Sequence, residues 1–215
     1  MFTLFSTALF PPIEYFVHII NAEKVLIEQH ESYIKQSYRN RFNIYSPNGL
    51  LPLTIPITKP NGNKTLIKDI NISYHTNWQT LHWRSIETAY NSSPFMLYYQ
   101  DEFSSFFCSK HENLLNFNTS LLKVLLDVIG IKKEVVLTEI FLSPDDIKTN
   151  DEILDLRYTI TPKQKDDESI TYPSYTQIFS QKFGFLPDLS IIDLLFNEGP
   201  STIDYLNNCH IVSLG

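Results

Sequence analysis

The feature that most narrows the fold is an apolar, β-branched run, Val25-Leu26-Ile27, placed directly after an amphipathic segment. A strand buried on both faces of a parallel sheet reads as continuous apolar sequence, whereas a half-exposed strand alternates. Ahead of the run, Ile13, Phe16, Val17 and Ile20 recur at helical spacing and leave Glu14 and His18 on another face, which predicts a helix from Ile13 to Ala22. Ahead of that, Phe2 to Phe10 is mostly apolar and β-compatible, and Pro11-Pro12 ends it. Proline has no N–H for a ladder but is tolerated in a first helical turn. The result is a βαβ unit whose strands, Phe2 to Phe10 and Lys24 to His30, are expected to be neighbouring and parallel. Ligands bind beyond the carboxyl ends of such strands, so the stretch after Ile27 is where a site is expected.

That stretch, Glu28 to Arg41, has almost no core-type residue and reads as a functional loop. Phe42 to Ser46 and Leu50 to Thr58 then flank Pro47-Asn48-Gly49, a turn in which Pro fixes φ and Gly permits φ > 0, so a hairpin is predicted. Pro52 and Pro56 put its second arm at an edge. Ile70, Ile72 and Tyr74 alternate with polar residues as in a further strand. Three helices follow: one from Trp78 after Asn77, one after Ser92-Ser93-Pro94, and one from Asn113 to Ile129 that stops at Gly130. Val135 to Leu137 reads as a strand, and Ile191 to Phe196 as a C-terminal helix capped by Asp188 or Ser190 and ended by Gly199-Pro200. The whole is an α/β chain: an N-terminal βαβ unit feeding a mixed sheet with a β-hairpin, then a helical segment and a C-terminal helix. Residues 1–215 form one domain, in which 143–171, with its rising charge and Asp166-Asp167-Glu168, is a mobile insert contributing little to the core.

Several functions are excluded by composition. Six glycines, all far apart, leave no GxGxxG or GxxxxGK[ST] phosphate loop. Cys108 and Cys209 form no CxxC pair or metal-spaced set, so no metal and no cofactor is expected, and a reducing cytoplasmic setting fits. A pI near 5.3 argues against nucleic acid as a partner. The apolar start has no preceding Lys or Arg and is not read as a signal peptide, and no apolar run is long enough for a transmembrane segment; peripheral membrane contact stays open. The net charge of −7 hides an asymmetry, since residues 1–100 carry 8 Lys and Arg against 6 Asp and Glu, while the rest carry 9 against 18. An anion is therefore expected to bind in the N-terminal half.

The leading candidate site is Lys35, Tyr38, Arg39, Asn40 and Arg41, because guanidinium forks with amide and hydroxyl donors match phosphate or carboxylate oxygens. The structural alternative is a solvated basic loop paired to Glu28 and Glu31, where surface pairs are worth only ~0–1 kcal/mol. His82, on the helix before Asn91, and His30, beyond the Val25 strand, are candidate general bases; either could instead be an ordinary packed histidine. Lys35, Arg39 and Arg41 are expected to face one pocket with His82 on its wall. Cys108 and His111 share helical spacing, but Phe106 and Phe107 mark a core and the pair is read as structural. Asp193 and Asn197, four apart on an apolar helix, need partners if buried; they are candidate ligand contacts or caps of the neighbouring loop.

Several blocks together resemble the WbqC-like family: Ser6 to Phe16, Glu28-Gln29-His30-Glu31, Lys35 to Arg41, His82 with Ala89-Tyr90 and Ser93-Pro94-Phe95, and Gly184 to Pro200. The resemblance is to a branch common in Bacteroidetes. It implies a role in bacterial surface polysaccharide (O-antigen) biosynthesis, as an aminoacyl or acyl, including glycyl, transferase acting on a nucleotide- or lipid-linked sugar. Its partner would be an anionic sugar or acyl-donor ligand. The alternative is a non-catalytic carbohydrate-binding or assembly protein using the same groove. Many members carry His-Gln-Pro where this chain has Ser6-Thr7-Ala8.

Overall fold

A computed structural model describes residues 1–58, 64–148, 152–163 and 170–212. Its first elements are β1 (Phe2–Ser6), α1 (Ile13–Asn21) and β2 (Lys24–Glu28). β1 and β2 pair in parallel, Phe2 opposite Lys24 through Ser6 opposite Glu28, as the apolar runs predict. The first strand is shorter than its apolar stretch. Beyond Ser6 the chain turns, and Phe10 adopts a left-handed conformation (φ 40°), rare for a bulky side chain and retained only where the surroundings enforce it. What enforces it is packing: the Phe10 ring is buried against Phe42, Phe103 and Phe107, with centroids 4.8, 5.9 and 6.1 Å away.

The predicted hairpin is β3 (Arg41–Ser46) and β4 (Gly49–Thr54), antiparallel, with Asn43 opposite Pro52. It forms a two-stranded ladder of its own. Residues 70–74 do not form the expected strand: they follow a 3₁₀ turn at Ile67–Asp69, and Asn71 and Ile72 make only isolated bridges, to Asn113 and Ile57. Helices α2 (Trp78–Tyr90), α3 (Met96–Cys108) and α4 (Leu114–Ile129) follow. The Asn113 side chain caps α4 by accepting from Asn116 N–H, and Gly130 ends it at φ 84°, a conformation that favours glycine.

The chain then returns to the sheet as β5 (Val135–Leu137), beside β2, passes through α5 (Pro144–Lys148), and adds β6 (Ile153–Asp155) on the far side of β1. The four-stranded order is β5-β2-β1-β6, all parallel. This corrects the expectation that 143–171 contributes little to the core. The segment supplies an edge strand and places Ile147, Leu156, Arg157, Ile160 and Ile170 in the interior; its residues 149–151 and 164–169, with the acidic triplet, lie outside the described residues. Charge density misled because Arg157 is fully buried, paired to Asp155 of the same segment and tied to Glu28 and the Leu142 carbonyl outside it.

The remaining elements are β7 (Ile170–Thr171), α6 (Ser180–Phe183), α7 (Ile191–Glu198), α8 (Thr202–Asn208) and β8 (His210–Ile211), with β7 and β8 paired. α7 and α8 pack on α1. The cap of α1 is supplied in trans: Pro12 contributes no side-chain cap, and Asp188, 174 residues away, accepts Glu14 N–H at 2.7 Å. Of the two expected caps, Ser190 does stand at the N-cap of α7, but its hydroxyl donates to the Phe10 carbonyl and makes no cap bond, while Asp188 serves α1.

Candidate functional site

β1 is where the strand order turns back: the chain moves outward to β2 and β5, then reappears as β6 on the other side. Open parallel sheets bind ligands at the carboxyl ends of strands at such a point. Here the end of β1 is Ser6, the end of β2 is Glu28, and β6 ends at Asp155, just before Arg157. Ser6, Thr7, Tyr15, Tyr38, Arg39, Leu156, Arg157 and Ile160 line a cleft of about 250 Å³ with its open mouth counted. Its enclosed part, about 10 Å³, is room for one water molecule.

Two buried ion-pair clusters support this cleft. In the first, Arg39 grips Glu31 with two bonds, Nε to Oε1 at 2.9 Å and Nη2 to Oε2 at 2.6 Å, both side chains almost wholly buried. The same Nη2 donates to Ser6 Oγ at 2.6 Å. Ser6 Oγ has two acceptors for its own proton, the Arg157 carbonyl at 2.9 Å and Glu31 Oε2 at 3.3 Å, and the Tyr15 hydroxyl donates to the Ser6 carbonyl at 2.9 Å. Burial raises the Glu31 carboxyl above its ordinary value, and the Arg39 fork and Ser6 hydroxyl oppose that rise. Burial likewise pushes the Tyr15 and Tyr38 phenols up.

In the second cluster, Arg157 donates Nε and Nη2 to Asp155 at 2.9 and 2.7 Å, and Nη1 to Glu28 Oε2 at 3.3 Å and the Leu142 carbonyl at 2.8 Å. Phe141 and Tyr158 lie over its guanidinium at 5.5 and 5.3 Å. Glu28 also accepts from His30 N–H, Thr138 Oγ1 and Leu142 N–H. The two guanidiniums therefore face three carboxylates, Glu28, Glu31 and Asp155, and their positive charge is answered inside the protein.

Among the residues singled out from sequence, Tyr38 and Arg39 line this cleft. Asn40 stands beside it in sequence, donating to the Ile55 carbonyl at 2.8 Å and accepting from the Tyr33 hydroxyl at 3.0 Å. Lys35 is exposed, and Arg41 Nε lies along the hairpin, donating to Thr54 Oγ1 at 3.2 Å. His30 is held with Nε2 toward the Thr138 carbonyl and Nδ1 toward the Lys68 ammonium, both at 3.2 Å. His82 is buried against Trp78 and Phe42, with centroids 5.4 and 6.1 Å away, and its Nδ1 has no hydrogen-bond partner. Burial lowers its pKa to about 4. Neither imidazole lines the cleft. Asp193 accepts from Tyr90, Tyr175 and Gln177 at 2.8, 2.5 and 3.0 Å, while Asn197 donates to the Asp193 carbonyl and accepts from Ser93. Their partners are all protein groups that join α7 to α2 and to residues 175–177. His111 stacks on Phe106 and meets Phe117 edge-on, and Cys108 is exposed.

Sequence reasoning missed Ser6, Glu31 and Arg157 as site residues. Glu31 was in view only as a surface partner, and no local pattern marks a serine that meets an arginine 33 positions on. Among the described residues no group of His, Cys, Asp and Glu is placed to hold a metal ion, and no helix is long and apolar enough to cross a membrane.

No solved structure matches the chain. It is 26% identical over 219 residues to the uncharacterized protein Rv1507c of Mycobacterium tuberculosis, covering 91% of this chain and 92% of that one. The WbqC-like protein family model matches residues 7–167, which take in three of the four strands of the parallel sheet, with Glu31, Arg39 and Arg157, and begin just after β1 and Ser6. On that match, the chain belongs to the WbqC-like protein family.

Proposed function

We propose that this protein is a transferase of bacterial surface-polysaccharide (O-antigen) biosynthesis, moving an aminoacyl or acyl group, glycyl among them, to a nucleotide- or lipid-linked sugar. The observation that carries this reading is the cleft where β1 and β6 end, which sets the polar groups of Ser6, Thr7, Tyr38 and Arg39 on a wall shared with Ala8, Leu156 and Ile160. Hydroxyls and a guanidinium edge set among buried carboxylates suit the hydroxyl and amine groups of a sugar. Arg39 and Tyr38 orient the acceptor in this reading, and Lys35 and Arg41 steer its phosphate from the rim of the same loop. The functional location is cytoplasmic, where such sugars are built. One observation favours a second reading, a non-catalytic carbohydrate-binding or assembly protein: both His30 and His82 stand off the cleft, leaving neither imidazole to move a proton there.

The two are separated by incubating purified protein with sugar nucleotides and an aminoacyl or acyl donor and following sugar mass. A mass gain equal to the acyl group, lost in Arg39→Met, supports transfer. Retention of unmodified sugar nucleotide on the protein, with no mass gain from any donor, supports the binding protein and overturns the transferase.

A further inference from the structure

Resting on the transferase reading, and going beyond it, we infer that Ser6 is the covalent acyl carrier of this protein, with Glu31 as its proton acceptor and Arg39 as the group that orients both.

A serine hydroxyl is a weak nucleophile until a base stands within reach and a third group orients that base. Ser6, Glu31 and Arg39 meet each part of that requirement. Glu31 Oε2 is 3.3 Å from Ser6 Oγ, a distance that tightens as a reaction complex forms. The two-bonded Arg39 fork fixes the plane of the Glu31 carboxylate. Arg39 Nη2 also donates to Ser6 Oγ at 2.6 Å, and a charge-assisted bond this short stabilises negative charge building on the oxygen. Burial raises the Glu31 carboxyl, which makes it a stronger base than an exposed glutamate. Ser6 is the last residue of β1, only partly buried, and on the wall of the cleft, whereas Glu31 is almost wholly covered. Of the hydroxyl residue and its base, Ser6 is therefore the one that faces the cleft. Ser37, by contrast, is buried with its hydroxyl on the Ile34 carbonyl.

In the first half-reaction a bond forms between Ser6 Oγ and the acyl carbon of a thioester or ester donor. The bond from that carbon to the donor's sulfur or oxygen breaks, and the Ser6 proton passes to Glu31 Oε2 and on to the leaving group. In the second, an acceptor hydroxyl or amine bonds to the acyl carbon, the ester to Oγ breaks, and the acceptor's proton returns through Glu31 to Ser6 Oγ. No oxidant or reductant is consumed.

The test uses p-nitrophenyl acetate, an activated ester that needs no knowledge of the natural donor. The full-length protein should release a burst of p-nitrophenol and gain one acetyl group, located by peptide mass spectrometry on Ser6. Ser6→Ala should lose the burst, Ser6→Cys should keep it, and Glu31→Gln should slow acylation on the order of 10²-fold or more and flatten its rise with pH. An acetyl group found elsewhere, or none on the natural protein, would overturn the inference. So would sugar acylation that persists in Ser6→Ala, which leaves the transferase reading standing. Ser6 acetylation without transfer to any sugar nucleotide would uphold the carrier and defeat the transferase.

Discussion

Arg39 and Arg41 are two positions apart yet do different work. Arg39 is buried in a two-bonded pair with Glu31, and removing one partner strands the other as an unpaired buried charge. Arg39→Ala should therefore lose about 3–5 kcal/mol of stability in urea unfolding. Arg41→Ala should lose less than about 1 kcal/mol, since its bond to Thr54 is exposed. The opposite ranking would show that the Arg39 cluster is not a supporting one. His82 carries a pH signature. Its pKa of about 4 lies below the ordinary 6.5, so between those values the unfolded chain takes up a proton that the native one refuses. Stability present in full above pH 6.5 should fall by about 3 kcal/mol as pH drops to 4, then level off. Comparing unfolding of the natural chain and His82→Phe across that range checks it, the variant losing that share of the slope. Neither property was legible in sequence: a basic residue in a polar loop looks solvated, and only the fold brings Ser6 and Glu31 to Arg39.

At the scale of elements, three devices were readable because their causes are local. Periodicity announces α1, an unbroken apolar run announces β2, and Pro47-Asn48-Gly49 announces the hairpin. Helix ends show where local rules stop. Gly130 and Gly199 both have positive φ, at 84° and 54°, but a Cβ on Gly130 meets nothing within 4 Å while one on Gly199 would lie 2.5 Å from the Phe95 ring. Gly130→Ala should cost about 1 kcal/mol, the conformational penalty alone, and Gly199→Ala about 2–4 kcal/mol, because the ring must also shift. Thermal unfolding of the two variants would measure the gap, and equal costs would contradict the close approach. The start of α1 depends on a cap 174 residues away at Asp188. No window of sequence contains both halves of that bond.

At the scale of the molecule, Arg157 ties three distant segments together. It joins the end of β2 through Glu28, the 138–142 connection through the Leu142 carbonyl, and the end of β6 through Asp155. Arg157→Ala should strip hydrogen-exchange protection from β6 and residues 138–142 while α4 stays protected. Uniform loss across the chain would show that these segments open only with the whole. This is also why the charged 143–171 stretch was misjudged. Its composition is that of a surface insert, yet one buried guanidinium commits it to the sheet. The sheet so completed has outer strands, β5 and β6, of only three residues each, flanking inner strands of five. A strand edge is a template on which another chain can add itself rung by rung. With three rungs on either side, each outer strand offers a passing extended segment only a short ladder.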